Sequence, residues 1–326
     1  MKDFARQIEQ AEQRIRVYIR ETPLEYSHTL SAKSGAQVYF KLENVQHAGS
    51  FKFRGAINKM LALEASQRAK GVVAASSGNH GMAVAYAAKL LGCKAAIFVA
   101  KDASSAKVAR IRQLGGHVEI VGDNCVLAEQ AARSSAAQTG CAYVSPYNDS
   151  DVIAGQGSIG VELLRQTPML DAVFVSIGGG GLIAGIGSYL KAQSPAIEVV
   201  GCQPENSRVM YESIRAGEII DFPEQPTLSD GTAGGIEKDS VTYALCREVV
   251  DRYVLTPEHA IADAMRHMLA EENWLVEGAA GVAVAAFMQQ QKHYRGKTVA
   301  LLICGRNIAF DKIRAVFAND KPSAEK

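Results

Sequence analysis

The stretch DAVFVSIGGGGLIAGIGSYLK, residues 171–191, joins an apolar, β-branched run to a second apolar segment through four consecutive glycines. The run before the glycines predicts a buried strand, and the residues after them predict a helix. Glycines at a helix start leave the backbone N–H groups unshielded, so these groups can converge on an anion at the positive end of the helix dipole. Ordering glycines costs roughly 0.5–1 kcal/mol each in backbone entropy. We therefore interpret Gly178, Gly179, Gly180 and Gly181 as a phosphate-binding loop, with a flexible turn as the alternative.

The same alternation of apolar runs and helical segments extends along the chain. The predicted strands are QVYFKLE (37–43), GVVAAS (71–76), KAAIFVA (94–100), HVEIVG (117–122), CAYVSP (141–146), DAVFVSI (171–177), EVVGCQP (198–204) and TVALLIC (298–304). Strands that are apolar at nearly every position are typical of parallel sheets covered on both faces by helices. We therefore expect an α/β fold with twisted, mainly parallel sheets flanked by helices.

Composition excludes several classes of partner. The 326 residues contain 35 Lys and Arg against 34 Asp and Glu, so no bulk charge attracts nucleic acid or an anionic membrane. No apolar run reaches the roughly 18 residues that span a bilayer. We expect a small-molecule substrate, no nucleic acid and no membrane.

The cysteines and the two ends of the chain predict a cytoplasmic protein. Six cysteines occur without a C-x-x-C pair, and the amino terminus has helical spacing and many charges, unlike the apolar core of a signal peptide. The last residues, NDKPSAEK, predict a frayed tail.

The segment GSFKFRGAINKM, residues 49–60, places Lys52 between Phe51 and Phe53 at the predicted start of a helix. Apolar neighbours strip water from an ammonium group, which lowers its pKa and makes the neutral, nucleophilic amine accessible. A solvated lysine is the alternative interpretation.

A second loop between a strand and a helix occurs in ASSGNHGMAVAYAAKLLG, residues 75–92. Its hydroxyl and amide side chains and the free N–H groups of the first helical turn can hold a carboxylate. The candidates are Ser76, Ser77, Gly78, Asn79 and His80. An ordinary helix N-cap is the alternative.

Two further motifs match known signatures but lack the context that a dinucleotide-binding site or a serine hydrolase requires. GQGSIG, residues 155–160, matches G-x-G-x-x-G but follows a polar stretch, not a strand, and no acidic residue closes a following strand. SSAK, residues 104–107, lacks the other elements of a serine hydrolase.

A reactive lysine, a phosphate loop and a carboxylate-holding loop are together what pyridoxal phosphate chemistry on an amino acid requires. Over about residues 15–315 the chain resembles the threonine/serine dehydratase family of fold-type II pyridoxal-phosphate enzymes. The motifs that carry the resemblance are SFKFRGA (50–56), SSGNHG (76–81), AGQGSIG (154–160), GGGGL (178–182), VEGAAGVA (276–283) and LLICGRN (301–307). It implies two domains like those of the tryptophan synthase β chain. Residues 1–48 and 149–326 would form the large cofactor-binding domain, and 49–148 a small substrate-carboxylate domain.

The resemblance also implies roles for individual residues. Lys52 would carry the cofactor and act as the catalytic base. Phe51 would pack beside the cofactor, Asn79 would bond its 3-hydroxyl, Gly178 to Gly181 and Leu182 would hold its phosphate, and Cys304 would face its ring nitrogen. A neutral thiol bonds the ring nitrogen without keeping a proton on it, which favours elimination over transamination. Ser77 would deliver a proton in the serine racemase branch, and otherwise cap the helix or help bind the carboxylate.

The implied function is a dehydratase that converts a β-hydroxy amino acid, threonine, serine or a larger analogue, to a 2-oxo acid and ammonia. The alternatives are a serine or amino-acid racemase, a dehydratase of hydroxyectoine breakdown, a β-replacement synthase and a non-catalytic phospho-ligand binding relative. The resemblance implies a homodimer or homotetramer. No metal site is expected, because Gln203 and Val209 stand where the metal-dependent branch has acids. The short stretch after CGRN predicts no regulatory domain.

Overall fold

A computed structural model describes residues 2–167 and 169–318 of the chain, and the predicted frayed tail lies outside them. The strands are β1 (Leu24–Tyr26), β2 (Gln37–Lys41), β3 (Val72–Ala75), β4 (Ala95–Val99), β5 (His117–Ile120), β6 (Ala142–Tyr143), β7 (Ala172–Ser176), β8 (Glu198–Pro204), β9 (Arg252–Thr256) and β10 (Thr298–Leu302). The helices are α1 (Lys2–Ile15), α2 (His28–Ser34), α3 (Lys52–Ala62), α4 (Ala65–Lys70), α5 (Asn79–Leu91), α6 (Ser105–Gln113), α7 (Cys125–Thr139), α8 (Ser150–Gln166), α9 (Gly181–Gln193), α10 (Val209–Ala216), α11 (Val241–Val249), α12 (Glu258–Ala270), α13 (Gly278–Gln290) and α14 (Phe310–Ala318). Short 3₁₀ turns lie at Glu43–Val45, His47–Gly49 and Gln291–Tyr294.

The strands form two sheets. The larger has the order β1-β2-β10-β7-β8-β9, in which only the β1 pairing is antiparallel, and the smaller is an all-parallel sheet with the order β5-β4-β3-β6. The predicted α/β class with mainly parallel sheets is confirmed. The short edge strand β1 and the other edge strand β9 were not predicted, and CAYVSP contributes only two strand residues.

Each sheet has its own hydrophobic core. One cluster of buried side chains surrounds the larger sheet, and a separate cluster joins β3 and β4 to α3 and α5. The central strands β7 and β10 are buried at every position, as their apolar sequences predict. The domain limits proposed from the resemblance stay a prediction. Of the described helices, none is long and apolar enough to cross a membrane.

Helix α8 lies between α3 and α9, and glycines allow both helices to pack closely against it. The GQGSIG motif is part of α8 and not a loop. A Cβ atom on Gly155 would lie 2.5 Å from the carbonyl oxygen of Arg54, and one on Gly185 of α9 would lie 2.4 Å from that of Ile153. Any larger residue would push the helices apart. The glycines therefore bring the starts of α3 and α9, which carry the lysine and glycine motifs, to one side of the same helix.

A fully buried ion network holds α3 in place. The guanidinium of Arg54 donates to both oxygens of Glu43, at 2.8 and 2.7 Å, and to both oxygens of Glu162 on α8, at 2.8 and 2.9 Å. Lys41 at the end of β2 donates to Glu162 at 2.5 Å. Burial alone raises the pKa of Glu162, but Arg54 and Lys41 outweigh it and hold the pKa at about 2. The network therefore ties α3, α8 and the end of β2 together.

We expect Arg54→Met to lower the free energy of unfolding by about 3–5 kcal/mol, because two buried carboxylates would then share one buried cation. Urea denaturation followed by circular dichroism measures this loss. Lys101→Met is the control, since Lys101 pairs with Asp123 at the exposed surface, and it should cost less than about 1 kcal/mol. A loss for Arg54→Met no larger than that of the control would contradict the assignment.

Candidate active site

A cavity of about 450 Å³ lies beyond the carboxyl ends of β3, β7 and β10, where open parallel sheets place their ligands. Every site residue predicted from the sequence lines it: Phe51, Lys52, Ser76, Ser77, Gly78, Asn79, His80, Gly178, Gly179, Gly180, Gly181, Leu182 and Cys304. The structure thus brings residues from four separate stretches of the chain into one cavity. Their individual roles stay predictions.

Lys52 is the first residue of α3, and its side chain is held inside the cavity. Its Nζ atom donates to the carbonyl oxygen of Pro146 at 2.6 Å and lies 5.1 Å from the centre of the Phe51 ring. Burial lowers the pKa of Lys52 to about 8, although the nearby Cys304 and Glu277 groups raise it. The direction agrees with the prediction from apolar neighbours, and at neutral pH a useful fraction of the amine is neutral.

The part of that prediction that concerns Phe53 is wrong. Its ring packs against His47 and Tyr86, with ring centres 5.4 Å away in both cases, in the core of the smaller sheet. Successive residues of a helix point in different directions, so only one of the two flanking phenylalanines contacts Lys52. Of these two phenylalanines, Phe51 is the one that lines the cavity with Lys52.

The glycine loop directs backbone N–H groups into the cavity. The carbonyl of Gly179 accepts from the Thr242 hydroxyl at 2.6 Å, and that of Gly180 accepts from the Cys246 thiol at 3.7 Å, both on α11. Since C=O and N–H point in opposite directions in a trans peptide, the N–H groups of Gly180 and Gly181 point away from α11. The first backbone bond of this turn runs from Ala184 N–H to Gly180 C=O, which leaves the preceding N–H groups without a helical acceptor.

The glycines are also required by packing. Gly180 has φ of +86°, a conformation that other residues adopt only with strain. A Cβ atom on Gly179 would lie 2.4 Å from the ring of Tyr147, and one on Gly178 would lie 2.9 Å from the backbone of Thr232. Tyr147 follows Pro146, the partner of Lys52, so the loop and the amine contact adjacent residues of the chain. Substitutions here would therefore disturb packing as well as the N–H groups.

The second predicted loop forms another helix N-terminus in the same cavity. Helix α5 begins at Asn79 without a side-chain cap, and its first backbone bond runs from Met82 N–H to Gly78 C=O. The Ser76 hydroxyl accepts from Gly78 N–H at 3.0 Å, and a ring nitrogen of His80 bonds the Val144 carbonyl at 2.8 Å. The side chains of Ser76 and His80 thus shape the loop, and the free N–H groups of the turn are the groups that could bind an anion.

Cys304 and a residue that the sequence analysis did not single out complete the site. Cys304 is buried after β10, and burial followed by the nearby Glu277 charge raises its pKa well above the usual value, so the thiol is neutral. Glu277 is buried in the cavity wall, and burial raises its pKa to about 7. One feature of the sequence could have pointed to Glu277, because it is an acidic residue directly before the apolar segment of VEGAAGVA. Its partners were not visible in the sequence.

The residues where a related metal site would occur have structural partners. Gln203 is buried, donates to the Ile177 carbonyl at 3.3 Å and accepts from Tyr211 N–H at 2.9 Å. Within residues 2–167 and 169–318, no group of three His, Cys, Asp or Glu side chains is arranged to hold a metal ion. The expectation that no metal is needed stays a prediction.

Comparison with known families decides the assignment. The family model described as pyridoxal-phosphate dependent enzyme matches residues 15–305. The chain belongs to this family. The resemblance inferred from the motifs is confirmed, and so are the fold-type II architecture and pyridoxal phosphate as the cofactor.

Individual members of the family are similar over nearly the whole chain. An L-threonine ammonia-lyase from Thermotoga maritima is 40% identical, over 94% of this chain and 76% of the relative. The structure of processed threonine deaminase isoform 2 from Solanum lycopersicum has a TM-score of 0.92 at 32% identity, covering 98% of this chain and 94% of that one. The structure of maize serine racemase has a TM-score of 0.89 at 33% identity, covering 95% of each chain.

The cavity fits this cofactor on its own geometry. The N–H groups of the glycine loop provide a phosphate site, and Lys52 provides a partly neutral amine. Cys304 provides a neutral hydrogen-bonding partner. The α5 N-terminus remains for a second anion, such as the carboxylate of an amino acid. The cavity therefore offers separate places at which the family's cofactor and a substrate carboxylate could be held.

The pKa of Lys52 predicts how fast the cofactor attaches. The neutral amine is the reactive form, and for a pKa of about 8 its fraction rises about fivefold from pH 7 to pH 8 and is nearly complete by about pH 9. We expect the attachment rate to follow this curve. Stopped-flow absorbance after mixing cofactor with cofactor-free protein measures it. A rate that still rises about tenfold from pH 9 to pH 10 would indicate an ordinary lysine and contradict the assignment.

Proposed function

We propose that this enzyme is a pyridoxal-phosphate dependent ammonia-lyase that removes water from a β-hydroxy amino acid, giving a 2-oxo acid and ammonia. The observation that carries the proposal is a buried lysine with a pKa of about 8 in one cavity with two uncapped helix N-termini. One N-terminus suits the cofactor phosphate and the other suits the substrate carboxylate. The similarity to threonine ammonia-lyases and deaminases supports the same reaction class.

When bound, pyridoxal phosphate supplies an aldehyde, a phosphate anchor and an electron sink. Lys52 holds it and afterwards, as a free amine, takes the α proton of the substrate. Its pKa of about 8 suits a general base at physiological pH. The Pro146 carbonyl, 2.6 Å from Nζ, fixes the direction of the amine.

Cys304 favours elimination. Because its thiol is neutral, Cys304 would hold the cofactor ring through a hydrogen bond and would not stabilise a permanent positive charge there. The cofactor would then be a moderate electron sink, which favours loss of the β-hydroxyl over transamination. The N–H groups at the start of α5 hold the substrate carboxylate and so orient the α carbon toward Lys52.

The direct test is a screen of β-hydroxy amino acids. We expect purified protein to be yellow and to release 2-oxo acid and ammonia from L-threonine, L-serine or a larger analogue such as phenylserine. Borohydride reduction followed by peptide mapping should place the cofactor on Lys52. Lys52→Ala should lower kcat at least about 10³-fold, because both attachment and the base are lost, whereas Lys101→Met should leave it unchanged. An adduct on another lysine, or no product from any substrate, would overturn the proposal.

A racemase is the second candidate, favoured by the similarity to serine racemase and by Ser77 in the cavity wall. Racemisation needs acid–base groups on both faces of the substrate. If Ser77 supplies the second group, Ser77→Ala should abolish inversion of L-serine, detected by chiral chromatography, and retain most 2-oxo acid release. Equal loss of both activities would assign Ser77 to substrate binding, and no inversion by the unaltered protein would remove this candidate.

We further propose that the enzyme acts on a free amino acid in the cytoplasm, as a homodimer or homotetramer. The free state of all six cysteines supports a reducing location. A dehydratase of hydroxyectoine breakdown remains an alternative of the same reaction class. Light scattering of the purified holoenzyme distinguishes the oligomeric states.

A further inference from the structure

Glu277 has an unusual setting for a helix N-cap. It directly precedes α13, yet its carboxylate makes no bond to its own helix. Instead Nδ2 of Asn79 donates to both of its oxygens, at 2.8 and 3.0 Å, and the N–H of Asn307 donates at 3.0 Å. A buried carboxylate is costly unless its oxygens are hydrogen-bonded. Its bonds are therefore directed at the cavity wall and not at the helix.

These bonds fix the orientation of the Asn79 amide. An ionised carboxylate only accepts, so the amide nitrogen of Asn79 must face Glu277. Its oxygen accepts from Nδ2 of Asn307 at 2.6 Å, and the same nitrogen donates to the Ala48 carbonyl at 2.8 Å. The closed ring joins the loop before α5 to the segments around α13 and β10. Asn79 therefore has no freedom to exchange its oxygen and nitrogen.

The chain leaves room for this carboxylate. A Cβ atom on Gly305 would lie 2.5 Å from one Glu277 oxygen and 3.0 Å from the other. Gly305 separates Cys304, in the same cavity, from the segment that carries Asn307. The position of the carboxylate is thus determined by sterics and by hydrogen bonds together.

We propose that Glu277 is a positioning residue that presents one N–H of the Asn79 amide to the cofactor's phenolic oxygen. The two oxygens of a carboxylate are close together, so a single N–H directed between them makes both contacts with Glu277. The second N–H of Asn79 is then free, and Asn79 lines the cavity. The proposal rests on the proposed function only through the presence of pyridoxal phosphate in this cavity.

A purely structural role predicts a different outcome. On that interpretation, Glu277 links distant segments of the chain, and any bond of equal strength would replace it. On ours, the direction of the bond matters, because position 79 must keep a donor for the cofactor. The two interpretations are separated by reversing the bond.

The experiment compares Glu277→Gln, Asn79→Asp and the double variant at pH 8, where the Glu277 carboxylate, with its pKa of about 7, is ionised. In Glu277→Gln, the side-chain NH2 of the new glutamine must point at another donor group, either the Asn79 amide nitrogen or the N–H of Asn307. We expect cofactor affinity to fall at least about tenfold and the visible absorption of bound cofactor to change.

In the double variant, the new amide at position 277 would donate to the new carboxylate at position 79 and accept from Asn307. Every bond of the ring is then restored, with the bond between positions 79 and 277 reversed.

The double variant should regain the thermal stability lost in either single variant but not the cofactor affinity or the visible absorption. Recovery of all three would overturn the proposal, as would unchanged affinity in Glu277→Gln. Glu272→Gln is the matched control, because Glu272 is a mostly buried glutamate that accepts from the Ser27 and Thr29 hydroxyls outside the cavity. Its cofactor affinity should be unchanged.

Gly305→Ala provides a second route if the exchanged variants do not fold. It displaces the carboxylate without altering any hydrogen-bonding group, so we expect weaker cofactor binding together with a lower melting temperature, because the added methyl group overpacks the ring. Unchanged affinity would overturn the proposal. None of these measurements uses turnover. A chain that binds cofactor as expected but releases no 2-oxo acid would therefore overturn the proposed function alone.

Discussion

The buried Arg54 guanidinium is the interaction on which the rest of the site depends. It lies two residues after Lys52, on the same first turns of α3, and is clamped by Glu43 on one side and Glu162 of α8 on the other. A charge buried this deeply must keep its partners, so α3 cannot rotate or slide without breaking several bonds at once. The electrostatics beneath the cavity therefore set the position of the start of α3 and of the Lys52 backbone, while the Pro146 carbonyl inside the cavity orients the amine itself.

Close helix packing positions the glycine loop, the second main element of the site. Glycines in α8 and α9 let α3 and α9 approach the same helix, and hydrogen bonds from α11 orient the peptides of the glycine loop. The groups proposed to hold the cofactor's phosphate are backbone atoms and do not depend on rotamers. The parts that would recognise the substrate lie on the loop after β3, in the other sheet. Binding of both ligands thus depends on how the two sheets are placed relative to each other.

Much of this arrangement could be predicted from the sequence, because its signals are local. Lys52, the four glycines and the loop at Asn79 each occur in a short motif at a strand end or helix start. The involvement of Glu277 was not predictable in the same way. Its partners, Asn79 and Asn307, lie 198 and 30 residues away, and only the fold brings them together. The prediction that Phe53 flanks the Lys52 amine failed for a related reason, since adjacency in sequence does not place two side chains on one face of a helix.

The neutral state of Cys304 has a consequence for the durability of the enzyme. Sulfur is oxidised and alkylated chiefly as thiolate, and both burial and the nearby Glu277 charge raise the pKa of this thiol and keep it protonated. Cys125, which is exposed at the rim of the same cavity, is the more accessible target. The cavity proposed to bind the cofactor can therefore include a cysteine with little of the oxidative sensitivity that such a residue normally brings. Inactivation by peroxide or by thiol reagents would begin at the entrance and not at the catalytic centre.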